Sequence, residues 1–102
     1  MRSQLLALLA LTFTVANAVG KEGAVDRGER VYAKYCATCH GDDLQNNSGV
    51  AFDLRRLRAD EHPRFINSVQ HGKNAMPSWK GVLTSEQIDD LWAYVHEHAY
   101  QK

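Results

Sequence analysis

Cysteine, proline and methionine are scarce in this chain, at two of each in 102 residues. Two cysteines cannot build the several-bridge framework of a disulfide-held domain. Tetrahedral zinc would need a second ligand pair at Cys or His spacing, which is missing. Charge of one sign is lacking too: 12 Lys and Arg stand against 12 Asp and Glu, so the chain has no general basic footprint and is no nucleic-acid binder. Long apolar runs are absent. The stretch from Leu5 to Val15 falls well short of the ~20 residues a membrane-spanning helix requires, so no stable membrane anchor is expected. No paired acid and base or activated nucleophile stands out for turnover.

The two cysteines that are present lie three apart, in Cys36-Ala37-Thr38-Cys39-His40. This is the attachment signature of a c-type haem. On a helical turn, positions i and i+3 share a face, so both thiols can form thioethers to one porphyrin while His40 turns its imidazole to the iron. A redox dithiol would want a βαβ context, which the surrounding pattern lacks.

The N-terminus reads as a secretory leader: Met1-Arg2, the apolar core, then the small-x-small site Ala16-Asn17-Ala18. Residues 1–18 are expected to be removed, leaving 19–102 as one small domain whose core is marginal unless a cofactor completes it. Loss of Arg2 leaves the mature chain with one more acidic than basic side chain. Export suits covalent haem attachment, which takes place outside the reducing cytosol.

Along that domain, Val31, Tyr32 and Tyr35 fall at helical spacing up to Cys36, with Asp26 expected as N-cap and Glu29 three residues on. Gly28 bares the face it shares with Tyr32. Gly41 to Gly49 has loop composition and is expected to wrap the His40 side. Arg55, Arg56 and Arg58 are mostly solvated, with propionate pairing open to them. A second helix starts at Asp60 with Pro63 in its first turn, carries Phe65, Ile66 and Val69, and stops at Gly72. Pro77 pushes Met76 out of helical geometry into a loop that can aim a thioether at iron. Met1 leaves with the leader, so Met76 is the sixth-ligand candidate, with His71 as rival; His62, His96 and His98 are expected in solvent. Thr84 and Gln87 form a capping box for a last helix to about His98, with Leu83 stapled onto Ile88. Its stripe of Ile88, Leu91, Trp92 and Val95 is expected to cross the Gly28 and Tyr32 face of the first helix.

In this order, Gly28-x-x-x-Tyr32-x-x-x-Cys36-x-x-Cys39-His40-Gly41, Met76-Pro77 and Asp90-Leu91-Trp92-Ala93-Tyr94-Val95 resemble a monohaem class I cytochrome c of small bacterial type. The resemblance implies an all-α cytochrome c-like fold: three main helices and loops around one covalent haem c, with the terminal helices crossing. It implies cofactor binding by Cys36, Cys39, His40 and Met76, with His40 and Met76 on the metal, and electron transfer rather than catalysis. Localisation in the periplasm and a monomeric carrier are expected. Phe52-Asp53-Leu54-Arg55, Phe65 and Gly72-Lys73-Asn74-Ala75-Met76-Pro77-Ser78-Trp79 are further similar to cytochromes that accept electrons from PQQ-dependent alcohol dehydrogenases. That similarity implies redox partners: a donor dehydrogenase and an acceptor oxidase or another cytochrome of a respiratory chain. Were Met76 not a ligand, the chain would read as a gas sensor or peroxidase-like enzyme; the subunit of a stable complex is a further alternative. Two departures stand out. Between Gly41 and Pro63 there is no proline, so the carbonyl orienting His40 is expected from Asn46 to Val50, and no Tyr or Trp there offers itself to the propionates.

Overall fold

A computed structural model describes residues 22–46, 49 and 51–102. The expected leader and its cleavage site lie outside the described residues. The described chain is helical, and its only β-type pairings are isolated bridges. Four α-helices follow one another: α1 Ala24–Tyr35, the short α2 Ala37–His40, α3 His62–His71 and α4 Ser85–Glu97. Three 3-10 turns, Asp42–Leu44, Leu54–Arg56 and Ala59–Glu61, punctuate the segment between α2 and α3.

The first helix starts earlier than its sequence suggests. Gly23 rather than Asp26 is the N-cap, with the Arg27 N–H donating to the Gly23 carbonyl at 3.1 Å. Asp26 sits within the first turn, where its charge meets the positive end of the helix dipole. The α3 entry also departs from expectation. The Ala59–Glu61 turn runs directly into α3, so Glu61 and not Asp60 precedes it. The Glu61 carboxylate accepts the Arg58 N–H at 3.0 Å, while Asp60 pairs outward with the Arg58 guanidinium at 3.3 Å. Pro63 falls in the first turn of α3 as expected, where its missing N–H is harmless.

The α4 start follows its sequence closely. The Thr84 N–H donates to Gln87 Oε1 at 2.9 Å, and the Gln87 N–H donates to Thr84 Oγ1 at 3.1 Å. Leu83 and Ile88 on either side of this box are both buried in the core.

Helices α1 and α4 form the most extensive helix–helix packing among the described residues, and Gly28 makes it possible. A Cβ at Gly28 would lie 1.9 Å from the Asp90 carbonyl oxygen and 2.9 Å from Tyr94 Cβ. Tyr32 meets Tyr94 with ring centroids 5.3 Å apart, and Arg27 forms a fork onto Asp90 at 2.9 and 3.1 Å across the same junction. The buried stripe of α4 is Ile88, Leu91, Tyr94 and Val95. Trp92 turns instead to α3, where it is half-buried between His62 (4.9 Å), Phe65 (5.3 Å) and His96 (5.4 Å). His62 and His96 are therefore half-buried ring partners of an indole, not solvent-facing side chains; His98 is exposed and packs edge-on against Tyr94 at 4.8 Å. Leu44, a lone apolar residue in a polar loop, completes the core at 1% exposure.

Candidate functional site

The junction of α1 and α2 presents the cysteines. Cys36 closes α1, with its N–H donating to the Tyr32 carbonyl at 2.8 Å, and its backbone starts the next helical turn, which carries Cys39 and His40. Tyr32 Oη donates to the Gly41 carbonyl at 2.5 Å, so a core tyrosine of α1 ties down the far end of that turn. Neither cysteine is in a disulfide. Cys36 is half-buried against the core, and burial, with a smaller contribution from the neighbouring Cys39 thiol, pushes its pKa up to about 12. Cys39 is exposed.

His40 is oriented by backbone. Its Nδ1 lies 3.2 Å from the Phe52 carbonyl oxygen. A carbonyl only accepts, so Nδ1 carries the proton and the lone pair is left on Nε2. Burial lowers the His40 pKa and keeps the ring neutral, opposed by the bond to Phe52, which favours the charged form. The orienting carbonyl thus comes from Phe52, beyond the expected window of Asn46 to Val50. Next to it, Asn46 Nδ2 donates to the Ala51 carbonyl at 2.5 Å.

Met76 is held by a tight turn. The Lys73 N–H donates to the Met76 carbonyl at 3.1 Å, and the Met76 N–H donates to the Lys73 carbonyl at 2.9 Å. Asn74 supplies the left-handed corner at φ 54°, a conformation that asparagine tolerates. Gly72 has φ +80°, and a Cβ there would approach the Met76 carbonyl to 2.7 Å. The turn is stitched back onto the end of α3: Ser78 Oγ donates to the Gln70 carbonyl at 2.5 Å and the Trp79 N–H to the Val69 carbonyl at 2.9 Å. Trp79 in turn packs on Tyr35, centroids 5.5 Å apart, linking the methionine loop to the residue before Cys36.

Met76 and Cys36 belong to a set of apolar side chains that pack on the core yet remain half-buried, with Tyr35, Ala37, Leu54, Ile66 and Trp79 among them. A neutral imidazole with its lone pair on Nε2, a thioether and two thiols outside any disulfide are a donor set chemically suited to a covalently tethered iron porphyrin. By this chemistry the residues fit the group. His71, the rival ligand, lies at the last position of α3 and is exposed. Of the three arginines expected to be mostly solvated, Arg56 and Arg58 are exposed, Arg58 in a surface pair with Asp60, while Arg55 is half-buried and paired with Asp53. Sequence reasoning missed the Phe52 carbonyl, for which residue identity carries no signal, and Leu44, which no periodicity announces.

Residues 23–95 match a family model described as cytochrome c oxidase, cbb3-type, subunit III. Cytochrome c6 of Parathermosynechococcus lividus is 40% identical over 76 residues, which cover 71% of this chain and 87% of that protein. Similarity extends to quinohemoprotein alcohol dehydrogenase ADH-IIG of Pseudomonas putida, at 32% identity over 79 residues, 76% of this chain but 11% of the enzyme. The solved structure of that enzyme superposes with a TM-score of 0.66 at 28% identity, covering 98% of this chain and 14% of the other. With the all-α fold and crossed terminal helices, these matches define the class: the chain belongs to the c-type cytochromes, as a small monohaem class I member. The cofactor is one covalently bound haem c, and the protein is an electron carrier rather than an enzyme. Among the described residues, no helix is long and apolar enough to cross a membrane.

Proposed function

We propose that Cys36 and Cys39 tether the haem by thioether bonds, that His40 and Met76 are its axial ligands, and that the protein carries single electrons in the periplasm. The donor is a dehydrogenase of the PQQ-dependent alcohol-oxidising class, and the acceptor belongs to a respiratory chain. The observation that carries this reading is the His40 Nδ1 contact to the Phe52 carbonyl, which leaves Nε2 as the donor atom. Support for the partner comes from the similarity to a quinohemoprotein alcohol dehydrogenase, and for export from the leader at residues 1–18.

When bound, haem supplies a one-electron couple between ferrous and ferric iron. The chain's own residues fix the ligand atoms in advance. His40 is locked through Nδ1, and Met76 is locked through both of its backbone polar groups. Little of the protein then has to rearrange when the charge changes. The soft thioether would favour the reduced state relative to a second imidazole, and the half-buried apolar side chains of Cys36, Leu54, Ile66 and Trp79 would supply apolar contact to the group.

Met76→Ala tests the ligand set. The expected outcome is a lower reduction potential and rapid carbon monoxide binding by the reduced variant. If His71 or Lys73 moves in, the potential still falls while carbon monoxide binds poorly. Rapid carbon monoxide binding by the unmodified reduced protein, with a potential unchanged in Met76→Ala, would eliminate Met76 as a ligand. The match to a family of oxidase subunits favours a second reading, a cytochrome subunit of a stable oxidase complex. Gel filtration of native extract separates the two, since a carrier elutes at monomer size and a subunit with its complex.

A further inference from the structure

The tail after α4 is fastened to the segment that serves His40. Ala99 is buried, and the Tyr100 N–H donates to the Arg55 carbonyl at 2.8 Å. The Arg55 guanidinium lies over the Tyr100 ring, 5.1 Å from its centroid. That same guanidinium is forked onto Asp53, Nε to Oδ1 at 3.0 Å and Nη2 to Oδ2 at 3.2 Å, while Asp53 Oδ1 also accepts the Arg55 N–H at 3.1 Å. Asp53 directly follows Phe52, whose carbonyl meets His40. On the other flank Asn46 holds the Ala51 carbonyl, and Arg64 lies over the Phe52 ring at 5.1 Å. The peptide that faces His40 is thus secured from both sides, and on one side the fastening runs to the far end of the chain.

Tyr100 is 63% exposed, so hydrophobic burial does not account for its position. Both its backbone N–H and its ring engage Arg55. At 3.2 Å the His40 contact is at the long end of the hydrogen-bond range, where a small shift of the acceptor changes its strength most. A stronger Nδ1–H bond places negative charge on the imidazole and makes Nε2 a better donor, which favours the oxidised metal; a weaker bond favours the reduced one.

We propose that Asp53, Arg55 and Tyr100 form a clamp that positions the Phe52 carbonyl against His40 and thereby sets the balance between the two oxidation states. This rests on the reading of His40 as a haem ligand. Asp53, Arg55 and Tyr100 are positioning residues, acting only through the backbone of the Phe52 segment.

The test uses the full haem-loaded protein with residues 100–102 deleted, with Asp53→Ala, with Tyr100→Phe, and with Glu97→Gln as a control that alters the same end of the chain through its 4.0 Å pair with Lys102. Two quantities are read: the ratio of reduced to oxidised protein at a fixed ambient potential, and the solvent exchange of the His40 Nδ1 proton by NMR. The deletion and Asp53→Ala should raise the ratio several-fold and speed the exchange by about tenfold, because the carbonyl is freer to leave the ring. Tyr100→Phe and Glu97→Gln should match the wild type. A ratio and an exchange rate unchanged by the deletion and by Asp53→Ala would overturn the clamp, as would a fall in the ratio. Absence of any haem-shifted His40 Nδ1 proton in the wild type would instead overturn the ligand assignment, so the two failures are distinct.

Discussion

The junction of α1 and α4 and the segments that carry Cys36, His40 and Met76, which we propose hold the haem, are built on opposite principles. At the junction Gly28 lets two backbones touch, Tyr32 and Tyr94 fill the flanks, and Leu91 and Val95 are almost wholly enclosed. Every apolar group there has a protein partner. In the proposed haem-binding segments Cys36, Tyr35, Ile66, Met76 and Trp79 lean on the core and stop half-buried, held in place by backbone hydrogen bonds more than by enclosure. One region is finished by the chain itself. The other is left for a large apolar cofactor to finish, and a domain of this size needs that contribution because its own core is small.

The most severe way to break this contrast is to deny the open face its cofactor. Cys36→Ala combined with Cys39→Ala should leave an exported chain that is largely unfolded, seen as loss of helical circular dichroism; a cooperative thermal transition in the haem-free variant would show that the α1–α4 junction suffices alone. The closed region is attacked by Gly28→Val. Its new side chain would collide with the Asp90 backbone, which cannot swing aside, so the cost should sit at about 3 kcal/mol, the upper end for overpacking. In a domain of this size that corresponds to a thermal midpoint lower by roughly 10–25 °C. Thr84→Ala trims the same region at its edge. Losing the reciprocal bonds with Gln87 should cost about 1 kcal/mol, with the visible spectrum of the haem unchanged.

The smallest effect on stability, and the one that sharpens the open face, concerns Lys73 and Lys80. Both are exposed and flank the Met76 to Trp79 segment. Lys73→Glu with Lys80→Glu should leave the thermal midpoint in place but slow association with an acidic redox partner several-fold at low salt, a difference that fades as salt rises. Equal stopped-flow rates at low ionic strength would assign these lysines to ordinary surface.

Legibility in the sequence followed the same division. The Thr84 box, the Gly72 stop and the Gly28 contact could be read directly, because each is a local rule or a missing side chain at a fixed helical offset. The cysteines and His40 were legible for the same reason: their chemistry demands a short, fixed spacing. What escaped depends on long-range placement. Leu44 is buried because its loop folds inward through residues of positive φ at Asp43 and Leu44, which no apolar period signals. Asp26 and Asp60 looked like caps, yet backbone bonding moved the α1 start to Gly23 and let the Ala59–Glu61 turn feed α3 directly. Trp92 fits the expected apolar stripe, but it turns toward α3, and Tyr94 takes the side toward Gly28 instead. His62 and His96 could not be placed before Trp92 was. The Phe52 carbonyl is a backbone group, and its place beside His40 is set by how the loop folds rather than by the residue's identity.

The crossing of α1 and α4 also governs the order of events in time. Arg27 and Asp90, which clasp across it, are 63 residues apart in the chain. Closing so wide a loop has an entropic cost that must be met before the contact yields anything, which makes this a slow step compared with the local turns around Cys36 and Met76. A nascent chain therefore exposes the cysteine-bearing turn long before the segment that will seal the domain has been synthesised. The tight junction at Gly28 acts as the closing clasp of the fold, and the interval before it shuts is when the apolar face is most accessible from outside.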